Sequence, residues 1–275
     1  MALYDREQHR SLAFLYGGHD PGVCCRMHSA MALWFLGYPT SALERSHGGL
    51  ALARELADTG SIANALPFAA IVHQLRGDLE ATWEVTESLI ALSIEGGFQQ
   101  WLAFGRVFES WVHAKRGRGD EPFTRLRRDI EAYRATQSEF YVQCFLVLLA
   151  TAQLQGGEAS AGLDTVAAAL GMADATGVLL WDPEFLRLRG ELLLARDPAA
   201  APDAEAAFRQ ALALARRHLV KSWELQAATS LARLLARQGK RDEARALVGA
   251  VYGWFTEGFD TVPLREAKAL LDELG

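Results

Sequence analysis

A cluster of side chains near the N-terminus has the chemistry of a metal site. It consists of His19, Asp20, Cys24, Cys25 and His28. Cys24 and His28 are four residues apart, so on a helix they would share one face, and thiolate with imidazole is a ligand pair that Zn²⁺ accepts. The alternative is structural, with Asp20 capping a helix that begins after it and Cys25 in the core. We favour the structural interpretation and predict no metal site.

Signatures of catalysis are missing from the rest of the sequence. A phosphate-binding loop needs Gly-Lys followed by Ser or Thr, but the one Gly-Lys pair, at 239–240, is followed by Arg241. The motifs HExxH, CxxC, GxSxG and the calcium loop of EF-hands do not occur. His47, His73 and His113 are isolated in the sequence, which is typical of packed or surface histidines. The sequence therefore predicts no catalytic residue, no cofactor and no enzymatic activity.

Charge and composition narrow the function classes further. The chain has 275 residues, half of them hydrophobic, and a net charge of −6, which argues against a general binder of nucleic acid or membrane surfaces. The segment 209–245, however, contains nine Arg and Lys residues and only three acidic residues. Solvated helix faces explain this excess, and a patch that binds phosphate or acidic groups is the alternative.

Cysteine usage and hydropathy bear on location. The three cysteines fit no disulfide framework, which favours a reducing cytoplasm. The longest strongly apolar run, 144–152, is too short to span a bilayer of about 30 Å. We therefore predict a cytoplasmic protein.

Glycines recur at a nearly constant interval and indicate a repeat. They are Gly37, Gly77, Gly117, Gly156 and Gly239. Successive intervals are 40, 40, 39 and 83 residues, so a degenerate unit with its turn near Asp197 and Pro198 lies in the last gap. Each glycine stands between two apolar helical segments, where it can close the first helix in a left-handed conformation.

The segments around these glycines predict six helix pairs. The first helices are predicted at 21–36, 61–76, 98–116, 139–155, 183–196 and 222–238, and the second helices at 40–57, 79–95, 121–136, 158–175, 202–218 and 241–256. Pro39, Pro122 and Pro202 suit the first turn of a second helix. Ala204, Phe208 and Ala211 have the Ala–x3–Phe–x2–Ala spacing of tetratricopeptide repeats, although a period near 40 also occurs in HEAT repeats.

We predict an all-α, right-handed superhelix with one tetratricopeptide-like repeat domain over 1–275. Residues 1–20 resemble the remainder of a preceding repeat. Residues 263–274 form an amphipathic capping helix, because their leucines fall on one face and their charges on the other.

In such arrays the first helices line the concave side, so distance from each turn glycine predicts a binding face. The positions are Trp34, Asn64, Gln74, Trp111, Lys115, Gln143, Gln153, Gln226, Arg233 and Arg237. Amides and bases can bind peptide carbonyls and carboxylates, and tryptophans add apolar area. Ordinary solvated polar residues would give the same pattern.

Three segments resemble a known family. They are YGGHDPGVCCRMHSAMALWFLGYP (16–39), KSWELQAATSLARLLARQGKRDEAR (221–245) and VYGWFTEGFDTVPLREAKALLDEL (251–274). Together they resemble the C-terminal repeat region of bacterial proteins that join a class III adenylate/guanylate cyclase domain to an AAA-type ATPase domain. The helix-pair length is also similar to that of the maltose-operon-activator class of ATP-dependent regulators. In that family the cyclase and ATPase motifs lie upstream of the repeats, and none occurs here.

The repeats, the missing catalytic motifs and the resemblance predict a non-catalytic interaction or regulatory scaffold, the C-terminal part of a larger signalling protein. Its partner would be a protein, a peptide or upstream domains of the same polypeptide, with no nucleic acid and no membrane. The alternative is the ligand-sensing solenoid of an ATP-dependent transcription activator. The sequence leaves the oligomeric state open, a homodimer included.

Overall fold

A computed structural model describes residues 4–117, 122–176 and 179–275, and over these residues all regular secondary structure is helical. The α-helices are α1 (Arg6–His9), α2 (Pro21–Phe35), α3 (Pro39–Glu55), α4 (Thr59–Arg76), α5 (Leu79–Gly96), α6 (Gln99–Lys115), α7 (Pro122–Arg134), α8 (Val142–Gln155), α9 (Ala159–Thr176), α10 (Asp182–Arg196), α11 (Ala201–Arg217), α12 (Lys221–Arg237), α13 (Arg241–Tyr252) and α14 (Val262–Leu274). Short 3₁₀ segments cover Arg10–Tyr16 and Pro198–Ala200. The predicted all-α fold class is confirmed.

The helices fall into the six predicted pairs, from α2 with α3 to α12 with α13, followed by α14. Their ends agree with the sequence prediction to within four residues. The three prolines, Pro39, Pro122 and Pro202, lie at the first or second position of α3, α7 and α11, as their fixed backbone angle and missing N–H require. Local residue preferences therefore determine where these three helices begin.

The turns between paired helices show a stricter period than the sequence suggested. Gly37, Gly77 and Gly117 are left-handed, with φ of 93°, 80° and 63°. The fourth left-handed residue is Gly157, with φ of 77°. Gly156 has φ of −82°, so the prediction that it is the left-handed turn residue is wrong. The four turn residues are consequently spaced by 40 residues each time.

The next step of 40 residues falls on Asp197, the predicted turn of the degenerate unit. There the chain is extended, with φ of −152°, and the Asp197 carboxylate accepts a hydrogen bond from the Ala199 N–H. An aspartate thus ends α10 and starts a 3₁₀ turn where the other pairs use glycine. This confirms the turn near Asp197 and Pro198.

Packing divides the chain into two compact units. The first comprises Met1–Trp34, Tyr38–Val112 and Asp129–Ser138, and the second comprises Phe35–Gly37, His113–Arg128 and Glu139–Gly275. In the first unit, α4 packs against both α3 and α5.

Two rows of helices can be distinguished in the second unit. The first row is α8, α10, α12 and α14, and each of these helices contacts the next one in the row. The second row is α9, α11 and α13, whose members contact the first-row helices before and after them. Direct contact between successive first helices is what a stacked helical repeat requires.

The first helices α4, α8 and α12 contain long stretches that are buried on every side, whereas the second helix α11 is buried along one face. Every residue is buried in 63–73 of α4, 142–150 of α8 and 227–232 of α12. In α11, by contrast, the buried positions include Ala204, Phe208 and Ala211, the repeat-like residues of the sequence. Burying a side chain as large as Phe208 stabilises the fold by about 1.5–3 kcal/mol. The rows therefore differ in how much of each helix is available to a partner.

Candidate functional site

A groove of about 320 Å³ in the second unit is lined by residues from all four first-row helices. Its charged and polar side chains include Arg187, Glu191, Gln226, Ser230, Arg233 and Glu266. Its apolar side chains include Leu154, Leu188, Val262 and Pro263. Because residues from α8 to α14 converge here, the stacking of the helices produces the groove, and a single repeat could not.

Arg187 is the centre of an ion-pair network on one wall of the groove. Its Nε and Nη2 donate to the two carboxylate oxygens of Glu184 at 2.7 and 2.6 Å. Its Nη1 lies 3.5 Å from Glu191 and 3.3 Å from the hydroxyl oxygen of Ser230. The Ser230 hydroxyl donates to Glu191 at 2.6 Å, which ties α12 to α10. Positions three and four residues apart on α10 bring these charges to one face.

Burial and pairing act in opposite directions on Arg187. Desolvation lowers its pKa, but attraction and hydrogen bonding from Glu184, with help from Glu191 and Glu266, outweigh it, so the pKa lies above the ordinary value. The guanidinium stays charged, and each of its three nitrogens already has a partner. Arg187 therefore fixes the shape of the groove.

Arg233 and Glu266 form a second, more open pair at the same groove. Arg233 Nη2 donates to a Glu266 carboxylate oxygen at 3.1 Å, and the two side chains are 39% and 51% exposed. Glu266 also attracts Lys115 and Arg187. Desolvation lowers the pKa of Lys115, and Glu266 partly offsets that effect. Glu266 is thus an exposed carboxylate of the groove, and Arg233 is its hydrogen-bonded partner.

The ten sequence-predicted face residues are divided between groove, other surface and core. Gln226 and Arg233 line the groove, Gln74 and Lys115 are partly buried, and Arg237 is exposed. The remaining five are buried, namely Trp34, Asn64, Trp111, Gln143 and Gln153. They are core residues in this structure and present no open surface to a partner.

Gln153 illustrates how a polar residue becomes a core residue. It is fully buried in α8, and its side-chain carbonyl accepts a hydrogen bond of 2.9 Å from the Thr165 hydroxyl of α9. An amide that joins two helices of one pair is a structural contact. Distance from a turn glycine finds its place along the helix but does not show what covers it.

Residues that sequence reasoning missed are Arg187, Glu191 and Glu266. The mapping used glycine turns, and α10 ends at Asp197 instead. Gln226 and Arg233 lie 13 and 6 residues before Gly239; the same offsets from Asp197 give Glu184 and Glu191. The turn at Asp197 therefore identifies Glu191 by its offset, but it does not identify Arg187, which lies ten residues before Asp197. Glu266 had none, because α14 is the predicted capping helix and belongs to no predicted helix pair.

In the N-terminal cluster, the predicted capping role of Asp20 is confirmed. The Asp20 carboxylate accepts from the Gly22 N–H at 2.8 Å, as an N-cap of α2 does. Cys24 Sγ lies 3.5 Å from His28 Nδ1, but the described residues contain no group of three or more metal-ligating side chains. Cys25 is exposed, so its predicted core position is wrong. It lies on the face of α2 opposite to the buried Val23 and Met27 side.

No protein-family model matches this sequence, and no curated protein matches it. In the described part of the chain, every helix is too short or too polar to cross a bilayer. The groove and its charges are accordingly the basis for a functional proposal.

Proposed function

We propose that this chain is a non-catalytic protein-interaction module that binds a peptide segment in the first-row groove. The observation that carries the proposal is the groove itself, since four successive helices contribute its lining. A ligand there contacts several repeats at once, which is how stacked helical repeats form extended binding surfaces.

The lining suits a peptide chemically. The side-chain amides of Gln155 and Gln226 have no hydrogen-bond partner in the described residues, and each can both donate to a carbonyl and accept from an N–H. Leu154 and Val262 supply apolar surface beside them. Polar groups for the peptide backbone next to apolar surface for a side chain are the usual elements of peptide recognition.

The family resemblance suggests where such a peptide segment comes from. In the proteins that the three quoted segments resemble, cyclase and ATPase domains belong to the same polypeptide as the repeats. We therefore propose a cytoplasmic regulatory role, in which the groove binds a segment of a signalling partner or of such domains. The three free cysteines are compatible with that reducing compartment.

A peptide array probed with the purified chain tests the proposal. Gln226→Trp should fill the groove and weaken binding of the captured peptides by at least about tenfold, because a bulky ring would occupy their site. Gln210→Trp is the matched control, since Gln210 is an exposed residue of α11 outside the groove. Equal binding by the two variants would show that the peptides bind elsewhere.

The alternative, a small-ligand sensor, is supported by one observation. A volume of about 320 Å³ lies at the lower end of the range of small-molecule pockets. A thermal-shift screen of metabolites distinguishes the two functions. A compound that stabilises the wild-type chain but not Gln226→Trp, together with an array that captures no peptide, would favour the sensor.

A further inference from the structure

Two cations and two carboxylates line the groove. The cations are Arg187 and Arg233, and the carboxylates are Glu191 and Glu266. Formal charge along the lining therefore balances only because Glu266 is present. Without it, the lining would carry one net positive charge.

The carboxylates at and beside the groove are not equally fixed. Glu184 is 5% exposed and held by two hydrogen bonds from Arg187, and Glu191 is held by Arg187 and Ser230. Glu266 is half exposed and receives one hydrogen bond, from Arg233. Among the charges of the groove, it is the carboxylate that a side-chain rotation can remove.

Arg233 has capacity for another ligand. In the described residues its guanidinium makes a single hydrogen bond, through Nη2 to Glu266. A guanidinium carries five N–H donors in a planar fork that fits a carboxylate with two parallel hydrogen bonds. Arg233 can therefore bind an incoming carboxylate more completely than it binds Glu266.

We infer that Glu266 is a built-in competitor, and that the groove selects an acidic peptide segment whose carboxylate replaces Glu266 at Arg233. This inference rests on the proposed peptide-binding function and specifies its ligand. The displaced Glu266 side chain turns to solvent, where half of it already lies. A basic peptide would gain little, because Glu191 is already engaged by Arg187 and Ser230, and Arg187 and Arg233 would oppose its charge.

The sharpest test is a pair of variants with opposite expected signs. The probes are fluorescein-labelled hexapeptide amides with central Glu, Gln or Lys residues and otherwise identical sequence, measured by anisotropy at low ionic strength. Glu266→Gln should bind the Glu peptide about fivefold more tightly, because the competing carboxylate is gone. Arg233→Gln should bind it about tenfold more weakly.

Matched controls lie on the same two helices. Glu273→Gln on α14 and Arg237→Gln on α12 change the same charges at exposed positions outside the groove, and both should bind as the wild type does. A fourth probe, the Gln peptide with a free C-terminus, distinguishes a terminal carboxylate from side-chain carboxylates as the bound group. High salt should weaken the preference for the Glu peptide.

The outcomes separate this inference from the proposed function. If Gln226→Trp abolishes binding but Glu, Gln and Lys peptides bind equally well, the groove binds peptides and the competitor role of Glu266 is wrong. Weaker binding by Glu266→Gln would overturn the inference as well. If Gln226→Trp changes nothing, the proposed function itself fails.

Discussion

Arg187 on α10 and Arg209 on α11 have nearly the same chemistry in different rows of the second unit. Each has a carboxylate on its own helix and a further polar partner on another helix: Glu184 and Ser230 for Arg187, and Glu205 and Glu243 for Arg209. Arg187 is 15% exposed and Arg209 is 51% exposed. The first row uses its arginine to shape a groove, while the second row displays the same pairing to solvent.

Burial is the physical reason for the difference. In water, attraction between exposed charges is weakened and the side chains lose rotational freedom on pairing, so such pairs contribute about 0–1 kcal/mol. In the first row, removal of one partner leaves the other charge buried without compensation, which costs several kcal/mol. The comparison therefore predicts that removing one partner of an ion pair lowers stability strongly in the first row and weakly in the second row.

The largest expected effect is that of Arg187→Met. The change leaves Glu184 buried without its cation and should lower the free energy of unfolding by about 3–5 kcal/mol. Arg209→Met should cost less than about 1 kcal/mol. Chemical denaturation followed by circular dichroism measures both. The double variant Arg187→Met/Glu184→Leu should regain much of the stability that Arg187→Met loses. Equal losses of stability for Arg187→Met and Arg209→Met would refute the comparison.

Two helical glycines sharpen the same comparison at an intermediate scale. A Cβ at Gly190 of α10 would overlap the Phe208 ring of α11, so Gly190→Ala should cost about 1–3 kcal/mol. Gly171 of α9 has open space around it, and Gly171→Ala should stabilise the chain by about 0.5–1 kcal/mol. The midpoint of thermal unfolding should therefore fall for Gly190→Ala and rise for Gly171→Ala. A gain from both substitutions would mean that α10 and α11 pack less closely than described.

The first unit offers a smaller, pH-dependent test on its first helix α4. His73 is buried, and its Nδ1 has no hydrogen-bond partner in the described residues. Desolvation lowers its pKa below 6.5, with Asp78 opposing and His47 and Arg76 assisting. The unfolded chain then binds the proton more readily, so this group's contribution is fully present above about pH 6.5 and is lost as the pH falls towards the lower, folded-state pKa.

The measurement is the free energy of unfolding from about pH 7.5 down to about pH 5. Wild type should lose stability over that range, and His73→Gln, which cannot titrate there, should lose less. Parallel curves for the two proteins would show that His73 is not the responsible group.

Much of this architecture is predictable from sequence, because its causes are local. Prolines at the starts of three second helices and glycines at the turns act through backbone angles within a few residues. The prediction that Gly156 is the left-handed turn residue was wrong because two neighbouring glycines can serve the same turn. Only the backbone angles show that Gly157 takes the left-handed conformation. The prediction that Asp20 caps α2 was confirmed, because an N-cap bonds only to backbone N–H groups within the next three residues.

The candidate site was predictable only in part, because it depends on contacts between distant residues. Gln226 and Arg233 follow from repeat offsets, but so do Gln143 and Gln153, which neighbouring helices cover. The partner of Arg233 is 33 residues away on α14, which belongs to no predicted helix pair. Burial and long-range pairing are tertiary properties that helix periodicity does not contain.

The 40-residue spacing of Gly37, Gly77, Gly117 and Gly157 has a consequence for how this chain can change in length. Each added residue rotates the rest of a helix by about 100° and shifts it by about 1.5 Å. A single-residue insertion within a helix would therefore turn buried side chains towards solvent. Duplication of a whole 40-residue unit returns every later helix to an equivalent environment. Whole-unit gain or loss is thus the length change that this sequence should tolerate.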